Sequence, residues 1–373
     1  MNTHTRPVRP VRAEGAERPA KPNGRLPRGD FGRRALVLRR GRCTVRLPWR
    51  SVVVCTALGV AGAGTALLAL MTGSYALSPV QVLSALTGQE TGFVQELVVD
   101  WRLPRVAAAL VFGAALGVSG AVFQSLLRNP LADPGIIGFT QGSYTGALIV
   151  ILVVNGTYAQ LAGGALLGGM ATAVAVYALA HRRGVKGFRL IVVGIGVSAM
   201  LDSLNTWLIL KADLDQAMGA AAWGAGSLNG VSWNQVAVGG ACIAVLLLLA
   251  ALLSRPLRQM QLGDDVAASH GVRVSPARLG LILVAVALTA TVTAASGPIL
   301  FVSLVAPQIG RRLARTAGIT LTPAAFVGAL LCLASDYLAQ HIGPTPLPVG
   351  IVTLVLGGGY LGHLLFTEAR RRL

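Results

Sequence analysis

The chain has 373 residues, of which 54% are hydrophobic and only 12% charged, with a mean hydropathy of +0.66. Soluble domains carry roughly a quarter charged residues and disordered chains are poor in apolar ones, so neither an ordinary globular enzyme nor a largely disordered protein fits. The formal charge of +18 does not mark a nucleic-acid-binding protein: fourteen of the 32 basic residues fall in the first 50 positions, against Glu14, Glu17 and Asp30, and the rest lie scattered between apolar runs. This is the composition of an integral membrane protein, with the lipid bilayer as a partner and no nucleic acid.

Residues 1–50 are rich in Arg, Pro and Gly without a sustained apolar period, which predicts a basic, disordered cytoplasmic tail ahead of a transmembrane domain over 51–373. The first apolar run, 52–71, is long for a signal-peptide core and long enough to span. Ser74-Tyr75-Ala76 matches a cleavage pattern only loosely, so the run reads as a retained helix. Further runs follow at 106–127, 142–154, 159–180, 190–210, 235–253, 279–295, 299–309, 321–339 and 348–366. A crossing needs about 20 apolar residues at 1.5 Å each, so the runs at 142 and 299 are expected to be half-helices held inside a bundle. The expected fold is all-α, with about ten transmembrane helices. Continuous apolar runs, rather than alternation, disfavour a β-barrel.

With the tail inside and the helices alternating, 29 basic residues fall on the inner side and three outside, namely Arg102, Arg105 and Lys211. Positive charge concentrated on one side sets orientation, so both termini are expected in the cytoplasm of a multi-pass plasma-membrane protein. Gly113 with Gly117, and Gly164 with Gly168, have the four-residue spacing that lets helix backbones approach closely.

Chemistry-bearing motifs are sparse. No lysine follows a glycine, so the chain carries no GxxxxGK[ST] phosphate loop, and no HExxH or nucleophile–His–acid arrangement can be read from spacing. Neither a catalytic residue, a cofactor nor a metal site is expected. Cys43, Cys55, Cys242 and Cys332 lack paired spacing and read as packing residues. Two acids fall within apolar runs, Asp202 and Asp336, where a charge costs roughly 2.5–3.5 kcal/mol on insertion scales. Hydrogen bonding between helices is the favoured role for both, over ion coupling.

Two inner loops stand out. In Arg128-Asn129-Pro130-Leu131-Ala132-Asp133-Pro134-Gly135, the prolines and glycine end one helix and aim the next, and Asn129 or Asp133 is expected to cap its free amides. In residues 259–274, Asp264 and Asp265 mark a helix start, Ala267 and Ala268 continue it, and Gly271 ends it. A short capped helix on the inner face suits docking by a soluble partner.

Arg102-Leu103-Pro104-Arg105, the run GAALGVSGAVFQSLLRNPLADPGIIG, the loop LGDDVAASHGV, SGPILFVSLVAPQIGR and LPVGIVTLVLG together resemble, collinearly from about residue 52 onward, the FecCD/BtuC family of ABC-importer permeases. The resemblance implies a BtuC-like bundle of ten helices in a two-subunit channel for ferric siderophores, haem or cobalamin. It implies an ATP-binding subunit, an extracytoplasmic substrate-binding protein and a second permease subunit as partners, with ATP hydrolysis in the separate subunit. It assigns Arg102 and Arg105 to docking of the binding protein, and Leu262, Gly263, Asp264, Asp265, Ala267, Ala268 and Gly271 to coupling with the ATPase. Asn129, Pro130, Asp133, Pro134 and Gly135 match its cytoplasmic helix-turn.

This chain also departs from the family pattern. Gln308 stands for a common histidine, Pro346 for a glutamate, Gln340 for a basic residue in some members, and Gly357-Gly358-Gly359 for a G-A-P turn. These departures fit a heterodimer with a paralogue better than a homodimer. The expected function is import of ferric siderophores; cobalamin or haem import is the alternative within the architecture, and an ion-coupled secondary transporter is the alternative of another class.

Overall fold

The structure is a computed structural model, and it describes residues 35–40, 43–135, 138–154, 156–180, 187–318, 320–343 and 345–372. The chain divides into two units, one ending at Trp49 and a helical body from Arg50 onward. In the first unit, β1 (Ala35–Arg40) pairs antiparallel with β2 (Cys43–Pro48), from Ala35 opposite Pro48 to Arg40 opposite Cys43. Sequence reasoning expected an unstructured stretch here. Val37, Leu38, Thr44 and Val45 are residues that favour strands, which the Arg- and Pro-rich composition around them obscures. Residues 1–34, the remainder of the predicted tail, lie outside the described residues.

The body opens with α1 (Trp49–Met71), apolar over most of its length after Arg50 and long enough to cross a bilayer. Next comes α2 (Pro79–Leu86), fixed by a capping box: the Ser78 amide donates to Gln81 Oε1 at 2.9 Å, and the Gln81 amide donates to Ser78 Oγ at 3.3 Å. A short α3 (Phe93–Glu96) runs through a π-helical turn (Leu97–Arg102) into α4 (Leu103–Leu127). The resulting rod, Phe93–Leu127, starts well before the apolar run at 106, because Glu96, Asp100, Arg102 and Arg105 interrupt hydropathy without interrupting the helix.

The chain continues through α5 (Phe139–Ile149), extended by a π turn (Val150–Val154), then α6 (Tyr158–Ala180), α7 (Gly187–Lys211) and α8 (Leu214–Gly224). A second capping box, Ser232 with Gln235, starts α9 (Trp233–Leu252), which leads into α10 (Ser254–Leu262) and the six-residue α11 (Asp264–Ser269). The last four are α12 (Val274–Ser296), α13 (Val302–Ala314), α14 (Leu321–His341) and α15 (Val349–Arg372).

Among the described residues, seven helices are long and apolar enough to cross a membrane. Two of the ten expected crossings are shorter, Phe139–Val154 and the 13-residue α13, and a further apolar stretch, Val349–Leu364, lies within the 24-residue α15. A helix this short tolerates membrane depth only where protein surrounds it. In α13, Val302–Gln308 is buried throughout.

The core is built on α4, where 78% of the most apolar window is buried and Phe112, Leu116 and Phe123 are sealed. Its glycines explain how. A Cβ on Gly113 would strike the Gly328 carbonyl, and one on Gly117 the Ala324 carbonyl, so α4 and α14 touch backbone to backbone. Gly164 and Gly168 of α6 meet Gly146 and Gly142 of α5 in the same way. Both small-residue pairs singled out in the sequence thus lie at helix crossings.

Candidate functional site

Three places gather the polar residues of this apolar body. At the end of α4 that begins the rod, the Arg105 guanidinium grips Asp336 of α14 with both arms: Nε donates to Oδ2 at 2.9 Å and Nη2 to Oδ1 at 2.9 Å. Gln340 Nε2 adds a third donor to Oδ2 at 2.9 Å. Asp336 is 1% exposed, so this bidentate pair matches the carboxylate's charge where water cannot. The favoured role for Asp336, bonding between helices, is what the geometry contains. Arg102 also turns inward, donating from Nη1 to the Leu70 carbonyl and from Nη2 to the Tyr75 carbonyl, each at 2.6 Å. It thereby pins the segment that follows α1. Tyr75, Phe93 and Trp101, stacked edge to face and exposed, lie around that pin.

The second place is the loop 128–135. Asn129 Oδ1 accepts from the Leu131 amide and Asp133 Oδ2 from the Gly135 amide, both at 2.9 Å. Each therefore closes its own turn. The sequence had suggested that one of them caps the next helix; α5 starts at Phe139, and its N-cap residue, Gly138, makes no side-chain cap bond. Asp133 Oδ1 also accepts from Ser303 Oγ in the first turn of α13. Gln308 Nε2 reaches Gln124 Oε1 at 2.5 Å and the Pro130 carbonyl at 3.1 Å, while Gln124 Nε2 donates to the Leu304 carbonyl at 2.8 Å. The loop, α4 and α13 are thus laced by side-chain amides, with Gln308 Nε2 donating to both α4 and the loop.

This lacing borders a cavity of about 450 Å³ whose walls include Asp133 and Gly135 of the loop, Gln141 of α5, Phe301 and Leu304 at the start of α13, and Asp202 of α7. Asp202 is exposed, unlike the buried Asp336, and lines this cavity from α7. Only 17% of the most apolar window of α7 is buried.

The third place is the α10–α11 segment. Gly263 at φ +136° and Gly271 at φ +80° bracket α11. The Gly271 amide bonds the Ala268 carbonyl at 2.9 Å and the Val272 amide the Ala267 carbonyl at 3.0 Å, which is a Schellman ending with glycine in the left-handed position. Ala267 is buried, while Leu262, Asp265, Val266 and Ala268 are exposed. Asp264 accepts from Arg128 Nη2 at 3.0 Å and from Arg278 Nη2 at 2.6 Å. Sequence reasoning marked Asp264 as a helix start and missed both arginine partners, which lie 136 and 14 residues away. Pro130 and Pro134 shape the loop between α4 and α5. Among the described residues, no group of three His, Cys, Asp or Glu could hold a metal ion.

A multi-pass bundle with a half-helix entering its centre, a cavity open along one exposed helix and a capped segment at one end defines a transporter permease subunit. The FecCD transport family model matches residues 53–367, and the chain belongs to that family. It is 47% identical to the ferric enterobactin transport system permease protein FepG of Escherichia coli over 324 residues, covering 87% of this chain and 98% of that protein. It is 37% identical to the iron(3+)-hydroxamate import system permease protein FhuG of Bacillus subtilis, covering 80% and 92%. Among solved structures, a metal-chelate type ABC transporter in an inward-facing conformation superposes with a TM-score of 0.75 at 27% identity, over 85% of this chain and 99% of that one.

Proposed function

We propose that this chain is the membrane-spanning half of an ATP-driven importer of ferric siderophores, working with an ATPase inside, a binding protein outside and a second permease beside it. The observation that carries the reading is the exposed face of α7. It presents Asp202 in the cavity wall, with Ser203 and Thr206 exposed on the same helix, and a carboxylate there is costly against lipid. Water and a second subunit are the natural covering, so the path runs between subunits, along α7 and α8. Relatives whose names specify ferric enterobactin, hydroxamate and dicitrate transport support an iron chelate as cargo.

In this reading the seven long helices, Phe139–Val154, α13 and Val349–Leu364 make ten crossings with both termini cytoplasmic. The binding protein docks outside on the surface around Arg102 and Arg105, whose guanidinium groups are already held by Leu70, Tyr75 and Asp336 of this chain, and the ATPase docks inside on Leu262, Gly263, Asp264, Asp265, Ala267, Ala268 and Gly271. The loop at Asn129, Pro130, Asp133, Pro134 and Gly135 floors the path. A paralogue is the favoured second permease, because Gln308 and Gln340 are committed to bonds inside this chain.

The test is reconstitution in liposomes with the ATPase, the binding protein and a candidate second permease. Uptake of labelled ferric chelate should require ATP and both soluble partners. Uptake that persists without the ATPase and follows an ion gradient overturns the importer reading. Active transport by two copies of this chain overturns the paralogue alone.

A further inference from the structure

We propose that Asp264 is a positioning residue of the transport cycle, tying the α10–α11 segment to α4 and α12 at once, so that movement of the segment reaches the loop flooring the cavity. The inference rests on the reading that the ATPase docks on this segment. Its geometry is a fork. Oδ1 accepts from Arg128 at the end of α4 and Oδ2 from Arg278 of α12, so each carboxylate oxygen holds a different helix. Arg128 Nη2 also donates to the Met260 carbonyl at 2.7 Å, so one nitrogen bridges the last turn of α10 and the first of α11. Gln261 Nε2 adds a parallel tie to Ser125 Oγ of α4 at 2.9 Å.

Beyond Arg128 the connection continues. Arg128 takes φ +48°, a left-handed conformation unfavourable for a residue with a Cβ. That turn ends α4 and starts the loop, whose Pro130 carbonyl is held by Gln308 and whose Asp133 is held by Ser303. A path of bonded groups therefore runs from α11 through Asp264 and Arg128 to the first turn of α13 and the cavity wall. The Arg128 and Asp264 side chains are 48% and 46% exposed, and ion pairs in such solvent contact add little to fold stability. What the fork supplies is alignment: it makes the segment move with two helices rather than slide beneath them. Asparagine loses the charge and turns a donor NH2 toward one of the two guanidinium groups, so the two-armed fork is lost.

The experiment uses the complete transporter in liposomes, with its ATPase and binding protein, and reads chelate transported per ATP hydrolysed on complexes isolated intact. Asp264→Asn should lower that ratio about fivefold or more, and Asp264→Glu should restore it to within about twofold, in the range of ordinary coupling factors. Because the two groups act as one link, Asp264→Asn combined with Arg128→Gln should fall no further than the worse single variant. An unchanged ratio in Asp264→Asn, or losses that multiply in the double variant, overturns the proposal. If Asp264→Asn does not hold the ATPase, Arg128→Gln decides by the same ratio, since that side chain comes from α4. Failure of the ATPase to bind the unaltered chain refutes the docking reading instead.

Discussion

The seam between α4 and α14 and the open face of α7 are written in similar apolar sequence, yet their surroundings are opposite. In the seam, Gly113 and Gly117 bring backbones into contact, and the buried Asp336 is matched by Arg105. On α7, a Cβ added to Gly196 would meet nothing within 4 Å, and Asp202 looks into a cavity. Hydropathy alone cannot separate a sealed contact from the wall of a path. The partner of each polar residue can.

The largest expected effect lies in the seam. Arg105→Met leaves Asp336 buried and unmatched, which should cost about 3–5 kcal/mol, and adding Asp336→Leu should recover most of it. Thermal denaturation of purified protein in detergent reads both variants; a single variant as stable as the parent breaks the contrast. The next effect is steric. Gly117→Val should cost about 1–3 kcal/mol by forcing α4 off the Ala324 carbonyl, whereas Gly196→Val should stay within about 0.5 kcal/mol, read by the same melts. Equal losses at both positions would mean that α7 is as tightly packed as α4. The smallest effect on stability belongs to Asp202→Cys, within about 0.5 kcal/mol. In a background lacking the native cysteines, its thiol should react with a charged maleimide more than about tenfold faster than Cys332 restored alone, since thiols buried in apolar packing are inert. Comparable labelling rates would close the cavity.

Much of the architecture was legible because length and apolarity coincide in long spans. The short elements were not: α2, α3 and α8 are too brief or too polar to rise above their flanks, and the two π turns leave no mark in composition. The short helix α11 was legible from glycine and aspartate spacing, since Gly271 does adopt the positive φ that its place after α11 suggested. The arginines that the sequence assigned to docking illustrate the limit. Arg105 and Asp336 stand 231 residues apart and were assigned separate roles, although an isolated acid in one apolar run and an arginine at the edge of another each call for a partner. Gln124 carried no signal at all, because a glutamine at mid-helix declares itself only when its neighbour across the bundle, Gln308, is known.

Pro307 gives α13 a property that the surrounding helices lack. It has no amide hydrogen to offer the Ser303 carbonyl, and that carbonyl is where Gly120 of α4 comes closest. One rung of the ladder is missing between the turn that borders the cavity and the end that carries Arg311 and Arg312. Proline is among the usual causes of a helix kink, and here it falls where α4 packs against α13 from the side.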